Sequence, residues 1–267
     1  MGTQRLYRTE GIVLRRRNQG EADRVLTLCT PEGKIDVIAK GARKVRSRKA
    51  GHIELFSRSS FVVSRVRNSW DIVSQAETLD AHEALRSDLL RGTHARYALE
   101  LLDRFFAQGE SEGGPALFDL LNHTLTWLSQ DDDLDLVARF FEQHLLGLAG
   151  FRPELFRCVE RHDPPVPANP GGASEPFGFD PEQGGALCPS CYTKEKARRG
   201  LLPLSSQALQ LLQDCQREPY TRLRGRQIPP TVHAEAERAM QHYITYHLER
   251  GVSAGAFLQR IKQERAI

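Results

Sequence analysis

No run of about 18 consecutive apolar residues occurs in this 267-residue chain, so no segment reads as a membrane-spanning helix. The opening Met1-Gly2-Thr3-Gln4-Arg5-Leu6-Tyr7-Arg8 lacks the apolar core of a secretory signal, and Leu6 stands where a myristoylation signal has Ser or Thr. Cysteine is sparse and odd in number, five in all with one close pair, which is not a secreted disulfide framework. These absences point to the cytoplasm. No phosphate-cradling loop is present, because Gly113-Gly114 lacks a following Gly-Lys-Ser/Thr, and neither Gly-x-Ser-x-Gly nor His-Glu-x-x-His occurs. The zinc deaminase order of His-x-Glu followed by Pro-Cys-x-x-Cys also fails: His52-Ile53-Glu54 is far upstream and His233-Ala234-Glu235 is downstream. No catalytic residue is assigned, and the expectation is a protein that is not an enzyme. Aromatics are few, 7% of the chain. Those in the first 80 residues that bear on stacking, Phe56, Phe61 and Trp70, read as core, so charge is expected to outweigh base stacking in any nucleic-acid contact.

What is present is positive charge in one place. Residues 1–80 carry 16 Lys and Arg against 9 Asp and Glu, whereas the remainder carries 21 against 25. The net charge of +3 is therefore the residue of an N-terminal excess, which argues for a local binding surface. Its centre is residues 40–49, with Lys40, Arg43, Lys44, Arg46, Arg48 and Lys49 and no acid. Such a run repels itself and is best tolerated where an anion neutralises it. Gly41 and Ser47 give it the composition of a mobile surface loop, and the phosphate backbone of a nucleic acid is the first partner to expect. Arg15, Arg16, Arg17, Arg24 and Lys34 extend this charge. The rival reading is an interaction adaptor whose basic loop docks an acidic partner tail without direct DNA binding. A second cluster, Lys194, Lys196, Arg198 and Arg199, either extends a DNA path or caps a helix end.

Residues 1–80 read as short strands at 11–14, 23–29, 34–39, 53–56, 60–66 and 70–74, with a hairpin at Thr30-Pro31-Glu32-Gly33, as in a small barrel or sandwich. From residue 81 the period becomes helical: Leu85, Leu89, Leu90, Tyr97, Leu101, Leu102 and Phe105 share a face, and helices follow at 117–128 and 134–148. Asp131, Asp132 and Asp133 place acid at a helix start. Residues 158–191 are rich in Pro, Gly and Cys with little periodicity, and helical patterns resume at 205–215, 231–248 and 253–261, with Ser205 and Ser253 as N-caps. The expected architecture is α+β and multidomain: a β domain at 1–80, a helical domain at 81–157 and 192–267, and a small insert at 158–191.

Cys188-Pro189-Ser190-Cys191 is a CxxC, Cys158 lies thirty residues earlier, and His162 follows Cys158 by four. Together they make a tetrahedral ligand set for one structural zinc. Arg161 occupies the position a second CxxC would fill, and His162, with its longer side chain, reaches in its place. Such a metal would fold a segment too poor in apolar residues to fold alone. A metal-free remnant is the alternative; a redox pair is disfavoured because no βαβ pattern surrounds the motif. Cys29 and Cys215 read as core thiols.

Taken together these residues resemble the bacterial RecO family. The match runs through Glu10-Gly11-Ile12-Val13-Leu14, Gly20-Glu21-Ala22-Asp23-Arg24-Val25-Leu26-Thr27-Leu28, Thr30-Pro31-Glu32-Gly33-Lys34 and Ala39-Lys40-Gly41-Ala42-Arg43-Lys44. It resumes at Leu148-Ala149-Gly150-Phe151-Arg152-Pro153-Glu154-Leu155, Arg157-Cys158 and Gly184-Gly185-Ala186-Leu187-Cys188-Pro189-Ser190-Cys191. The blocks cover most of residues 1–215; beyond that the similarity is only helical. Arg161 is the departure, where the family often has its second zinc cysteine. The resemblance implies an OB-fold N-terminal domain, a helical body and a zinc knuckle. It also implies a non-enzymatic recombination mediator in DNA repair, cytoplasmic and nucleoid-associated. Such a protein binds single- and double-stranded DNA and anneals complementary strands. With RecR it helps load RecA onto single strands covered by single-strand-binding protein, whose acidic C-terminal tail is a further partner.

Overall fold

The computed structural model describes residues 6–107, 109, 113–160, 176–195, 197–248 and 251–265. They fall into two units, Met1–Gln130 and Asp131–Ile267.

In the first unit five strands, β1 (Leu6–Gln19), β2 (Asp23–Thr30), β3 (Gly33–Ala39), β4 (Arg58–Ser64) and β5 (Asp71–Asp80), close into a barrel in the order β1-β2-β3-β5-β4. All pairs are antiparallel except β3 with β5. This is the OB-type closure, and it leaves no open sheet edge. The expected hairpin forms, with Thr30 opposite Gly33 and its hydroxyl donating to the Gly33 carbonyl at 2.7 Å. Val13, Leu26, Leu28, Val37, Phe61, Val63 and Val73 fill the interior and are wholly buried.

β1 serves two neighbours, pairing with β4 through its first half and with β2 through its second. Between Val13, opposite Leu28, and Arg15, opposite Thr27, Leu14 is an extra residue, so the strand carries a bulge. Because strand side chains alternate, that one residue decides which arginines face outward. Arg16 comes opposite Leu26 on the interior side, while Arg15 and Arg17, opposite Thr27 and Val25, take the outer side.

The expected strand at 53–56 does not form. A 3-10 turn at Ala50–His52 leads instead into a segment where Ile53 is wholly buried in the barrel core and Phe56 has φ 72°. Its alternating apolar residues reflect a plug in the barrel, not a place in the ladder. The helical face expected from Leu85 is also interrupted. Asp88, with extended backbone, accepts from the Leu90 and Arg91 amides at 2.8 and 2.9 Å and so separates α1 (Glu83–Ser87) from α2 (Leu89–Phe105). α3 (Gly114–Gln130) completes this unit.

In the second unit α4 (Leu134–Leu148) starts at Asp133, whose carboxylate accepts from the Leu136 amide at 2.9 Å. A short α5 (Pro189–Glu195) lies between the second and third strands of the sheet described next. Then come α6 (Ser206–Arg217), capped by Ser205 as expected, α7 (Tyr220–Leu223), α8 (Pro230–Leu248) and α9 (Ser253–Arg265). α4, α6 and α8 pack on one another through Leu136, Phe141, Leu145, Leu209, Leu212, Ala236 and Met240, each wholly buried. The insert and the chain after it also hold a three-stranded sheet, β6 (Phe177–Asp180), β7 (Gly185–Leu187) and β8 (Leu202–Leu204), in the order β7-β6-β8. Strands of three or four residues are too short to show an alternation, which is why no periodicity marked them.

Candidate nucleic-acid interface and thiol cluster

The basic loop joins β3 to the 3-10 turn and is stitched to the neighbouring β1–β2 turn. Asp23 accepts from the Gly41 amide at 2.7 Å, the Arg43 amide donates to the Ala22 carbonyl at 2.8 Å, and the Arg43 guanidinium donates to the Gly20 carbonyl at 3.0 Å. Gly41 has φ 68°, a conformation that costs a residue with a Cβ about 1–2 kcal/mol. Further turns close with the Lys44 amide on the Gly41 carbonyl and the Ser47 amide on the Lys44 carbonyl. The segment expected to be a mobile loop is thus a run of hydrogen-bonded turns.

Lys40, Arg43, Lys44, Arg46 and Arg48 are exposed on these turns, and Val45 between them is 105% exposed, as at the tip of a projection. Among the described residues none of the five has a carboxylate partner. From Arg43 to Arg48 each charge follows the last by one or two residues, at most about 7 Å of chain, which is on the scale of the Debye length of about 8 Å, so neighbouring charges repel with only partial screening. A polyanion relieves that repulsion. Lys49 differs: its ammonium donates to the Val73 carbonyl of β5 at 3.1 Å, and burial pulls its pKa below the usual lysine range against an opposing pull from Asp23. It anchors the loop.

The other predicted bases divide in the same way. Arg16 and Arg24 both reach Glu54, Arg24 at 3.5 Å, and tie the chain after the 3-10 turn to β1 and β2. Lys34 donates to the carbonyl and carboxylate of Asp103 at 2.7 and 2.9 Å. Arg15 lies 3.4 Å from the same carboxylate with most of its side chain exposed. Arg17 is exposed and holds its guanidinium 5.1 Å from the centre of the Trp70 ring. Sequence reasoning missed Arg65 and Arg67, both exposed on the β4–β5 turn. The signal was there, Arg65-Val66-Arg67 before the Asn68-Ser69 turn, but two spaced charges stand out less than a run.

In the second unit the Sγ atoms of Cys158, Cys188 and Cys191 all lie within 4.8 Å of one another. A tetrahedral zinc with 2.3 Å bonds sets its sulfurs about 3.8 Å apart, so the three thiols fit one ion with a small contraction. The scaffold is specific. The Glu154 carbonyl accepts from the Ala186 amide at 2.8 Å, and the Val159 amide donates to the Ala186 carbonyl at 3.0 Å, laying Cys158 beside β7. Gly185 permits this approach, since a Cβ there would sit 2.2 Å from the Glu154 carbonyl oxygen. The Cys188 amide donates to the Cys158 sulfur at 3.4 Å, which ties the two cysteine-bearing segments together. Burial, then the neighbouring Cys158 and Cys188, push the Cys191 thiol up to about 12. A divalent cation reverses that balance. Arg161 and His162 lie outside the described residues, so the predicted fourth ligand is not placed. None of the five cysteines forms a disulfide. Cys29 and Cys215 are buried, and burial raises both thiols, that of Cys29 to about 12, as suits inert core residues.

Of the second basic cluster, Arg198 is engaged by Asp180 and lies 3.6 Å from Glu160, Lys194 and Arg199 are exposed, and Lys196 lies outside the described residues. Among the described residues no helix is long and apolar enough to cross a membrane.

Comparison with known proteins agrees with this geometry. The family described as Recombination protein O N terminal matches residues 3–82, and Recombination protein O C terminal matches residues 86–254. The chain belongs to the RecO family. Curated members named DNA repair protein RecO include that of Roseiflexus sp. (strain RS-1), 40% identical over 260 residues, covering 97% of this chain and 87% of the relative. That of Desulforudis audaxviator is 37% identical over 256 residues, covering 96% and 97%, and that of Symbiobacterium thermophilum 35% identical over 266 residues, covering 97% and 99%. The two RecO regions adjoin at residues 82–86, in α1 just after the barrel.

Proposed function

We propose that this RecO-family chain is a non-enzymatic recombination mediator whose barrel, residues 1–80, grips the backbone of single- and double-stranded DNA without regard to sequence and promotes annealing of complementary strands. The observation that carries the reading is the projecting turn with five exposed cations, none of them with a carboxylate partner among the described residues, on an OB-type barrel. Arg15 and Arg17, on the outer side of β1, join that surface. Arg16, Arg24, Lys34 and Lys49 support it through their internal partners.

In this reading residues 158–191 form a knuckle held by one structural zinc on Cys158, His162, Cys188 and Cys191, within a helical domain of residues 81–157 and 192–267. The zinc supplies folding energy, and no step of the function runs through it. RecR, the acidic tail of single-strand-binding protein and, through them, RecA are the proposed partners, and the location is cytoplasmic at the nucleoid.

The test is to mix the purified protein with two complementary labelled oligonucleotides at about 150 mM salt. The expected result is saturable binding of either strand and faster duplex formation than with the strands alone. No binding of naked oligonucleotides at that salt would favour the adaptor reading instead.

A further inference from the structure

The barrel contains four aromatic residues, Tyr7, Phe56, Phe61 and Trp70. Phe56 and Phe61 are 2% and 0% exposed and belong to the interior. Tyr7 packs against the core and donates its hydroxyl to Asp71 at 3.1 Å. Trp70, at the end of the β4–β5 turn, is only half-buried, and its described ring partner is the Arg17 guanidinium. Arg17 is exposed and, among the described residues, has no carboxylate partner.

The sheet register shows where this pair lies. Arg17 of β1 is opposite Val25 of β2, Val25 is opposite Ile38 of β3, and Ile38 is opposite Ile72 of β5. The Arg17–Trp70 contact therefore joins the two sides of the β2–β3 surface, from β1 to the turn that enters β5. Arg65 and Arg67 flank the indole along the turn, both exposed, with Arg65 5.1 Å over the Tyr7 ring. Asp71, the acid beside Trp70, is engaged on both oxygens, by the Tyr7 hydroxyl and by the Val66 amide at 2.9 Å. That carboxylate pins the turn, and the three guanidinium groups of Arg17, Arg65 and Arg67 outnumber its single negative charge. A partly exposed aromatic ring on a pinned turn, with one guanidinium over it and two more on the same turn, suits an unpaired base with its phosphate.

We propose that Trp70 is a base-stacking platform for single-stranded nucleic acid, with Arg17 as the cation that receives the adjoining phosphate. This rests on the DNA-binding reading of the barrel and adds a preference to it. Phosphates are available to the basic loop in single strands and duplexes alike, whereas base faces are available only when unpaired. The platform holds a single strand and loses its hold once that strand pairs, which gives annealing a direction.

The test uses the full chain with Trp127→Phe, which leaves Trp70 as the one tryptophan of the two in the sequence. An oligo-dT strand is titrated while Trp70 emission and the anisotropy of an end-labelled strand are recorded. Emission is expected to quench in proportion to binding, and Trp70→Ala, which keeps Trp127, is expected to show no quenching. Trp70→Ala should weaken single-strand binding roughly 5- to 150-fold with duplex affinity unchanged, and Trp70→Phe should restore most of it. Binding with an unmoved Trp70 emission overturns the platform alone, as does an equal loss for single strand and duplex. Absence of any anisotropy change overturns the DNA-binding reading and the platform with it.

Discussion

A protein with Lys40, Arg43, Lys44, Arg46 and Arg48 all replaced by alanine is expected to bind single-stranded oligonucleotides at least ~100-fold more weakly at 50 mM salt, whatever their sequence. Each phosphate neutralised on a single strand contributes about 0.7 to the slope of log affinity against log salt, so losing five contacts flattens that slope by up to ~3.5. Lys49 is kept in this variant because its ammonium holds the Val73 carbonyl and its loss would unpin the loop from β5. The fold is expected to survive, since Asp23 still receives the Gly41 amide and Ala22 the amide of residue 43. Internal arginines give the contrast. Arg16→Ala removes a partner of Glu54 and is expected to lower stability while changing the salt slope by less than about one contact's worth. Titrations of both variants at several salt concentrations, on oligonucleotides of different composition, check the pair. An unchanged slope in the five-alanine protein would remove the loop from the interface.

Stripping metal from the second unit is expected to have the other large effect. Protein purified without chelator should carry about one zinc per chain, and a strong chelator should expose residues 152–204 to proteolysis. Structural zinc supplies roughly 10–16 kcal/mol of apparent binding energy in small zinc-finger peptides, against a typical folding stability of 5–15 kcal/mol. Even a fraction of that decides whether a segment built on strands of three and four residues holds together. Cys188→Ser should reproduce the chelated state without chelator, because it breaks the trio formed with Cys158 and Cys191. Because thiolates bind as their protons leave, zinc retention should weaken on acidification. Metal analysis and limited proteolysis read both arms, and protein that lacks zinc yet resists proteolysis would refute the metal.

Much of the barrel is legible in the chain because its turns are written in local chemistry. Pro31 with Gly33 makes the β2–β3 hairpin, and that stretch needs no tertiary information. The bulge at Leu14 is different, since it exists only relative to β2. Without it alternation from Val13 would turn Arg15 and Arg17 inward and Arg16 outward; with it Arg16 goes to Glu54 and Arg17 to Trp70. Residues 53–56 alternate like a strand yet plug the barrel, because burial on one side leaves the same pattern whether or not a ladder forms. Asp88 interrupts an apolar face that periodicity alone continues, since capping acts on one residue while the period averages over many.

For the candidate sites the lesson is similar. Spacing alone picks out Cys158, Cys188 and Cys191, and the fold brings their sulfurs together. A run of like charge picks out the loop but ranks Lys49 with its neighbours, although a carbonyl of β5 claims it. Lys34, Arg16 and Arg24 read as free cations until Asp103 and Glu54, distant in sequence, are seen beside them. Trp70 reads as core because aromatics usually are, and only its exposure and its Arg17 partner separate it from Phe61.

The barrel is the proposed surface that meets DNA. A single-stranded oligonucleotide carrying photoreactive thymines, irradiated in complex with the full chain and mapped by mass spectrometry after cleavage away from Lys and Arg, tests that surface directly. Adducts are expected on the peptides that carry residues 15–17, 40–49 and 65–70. Adducts confined to Asp131–Ile267, with none on the barrel, would contradict it.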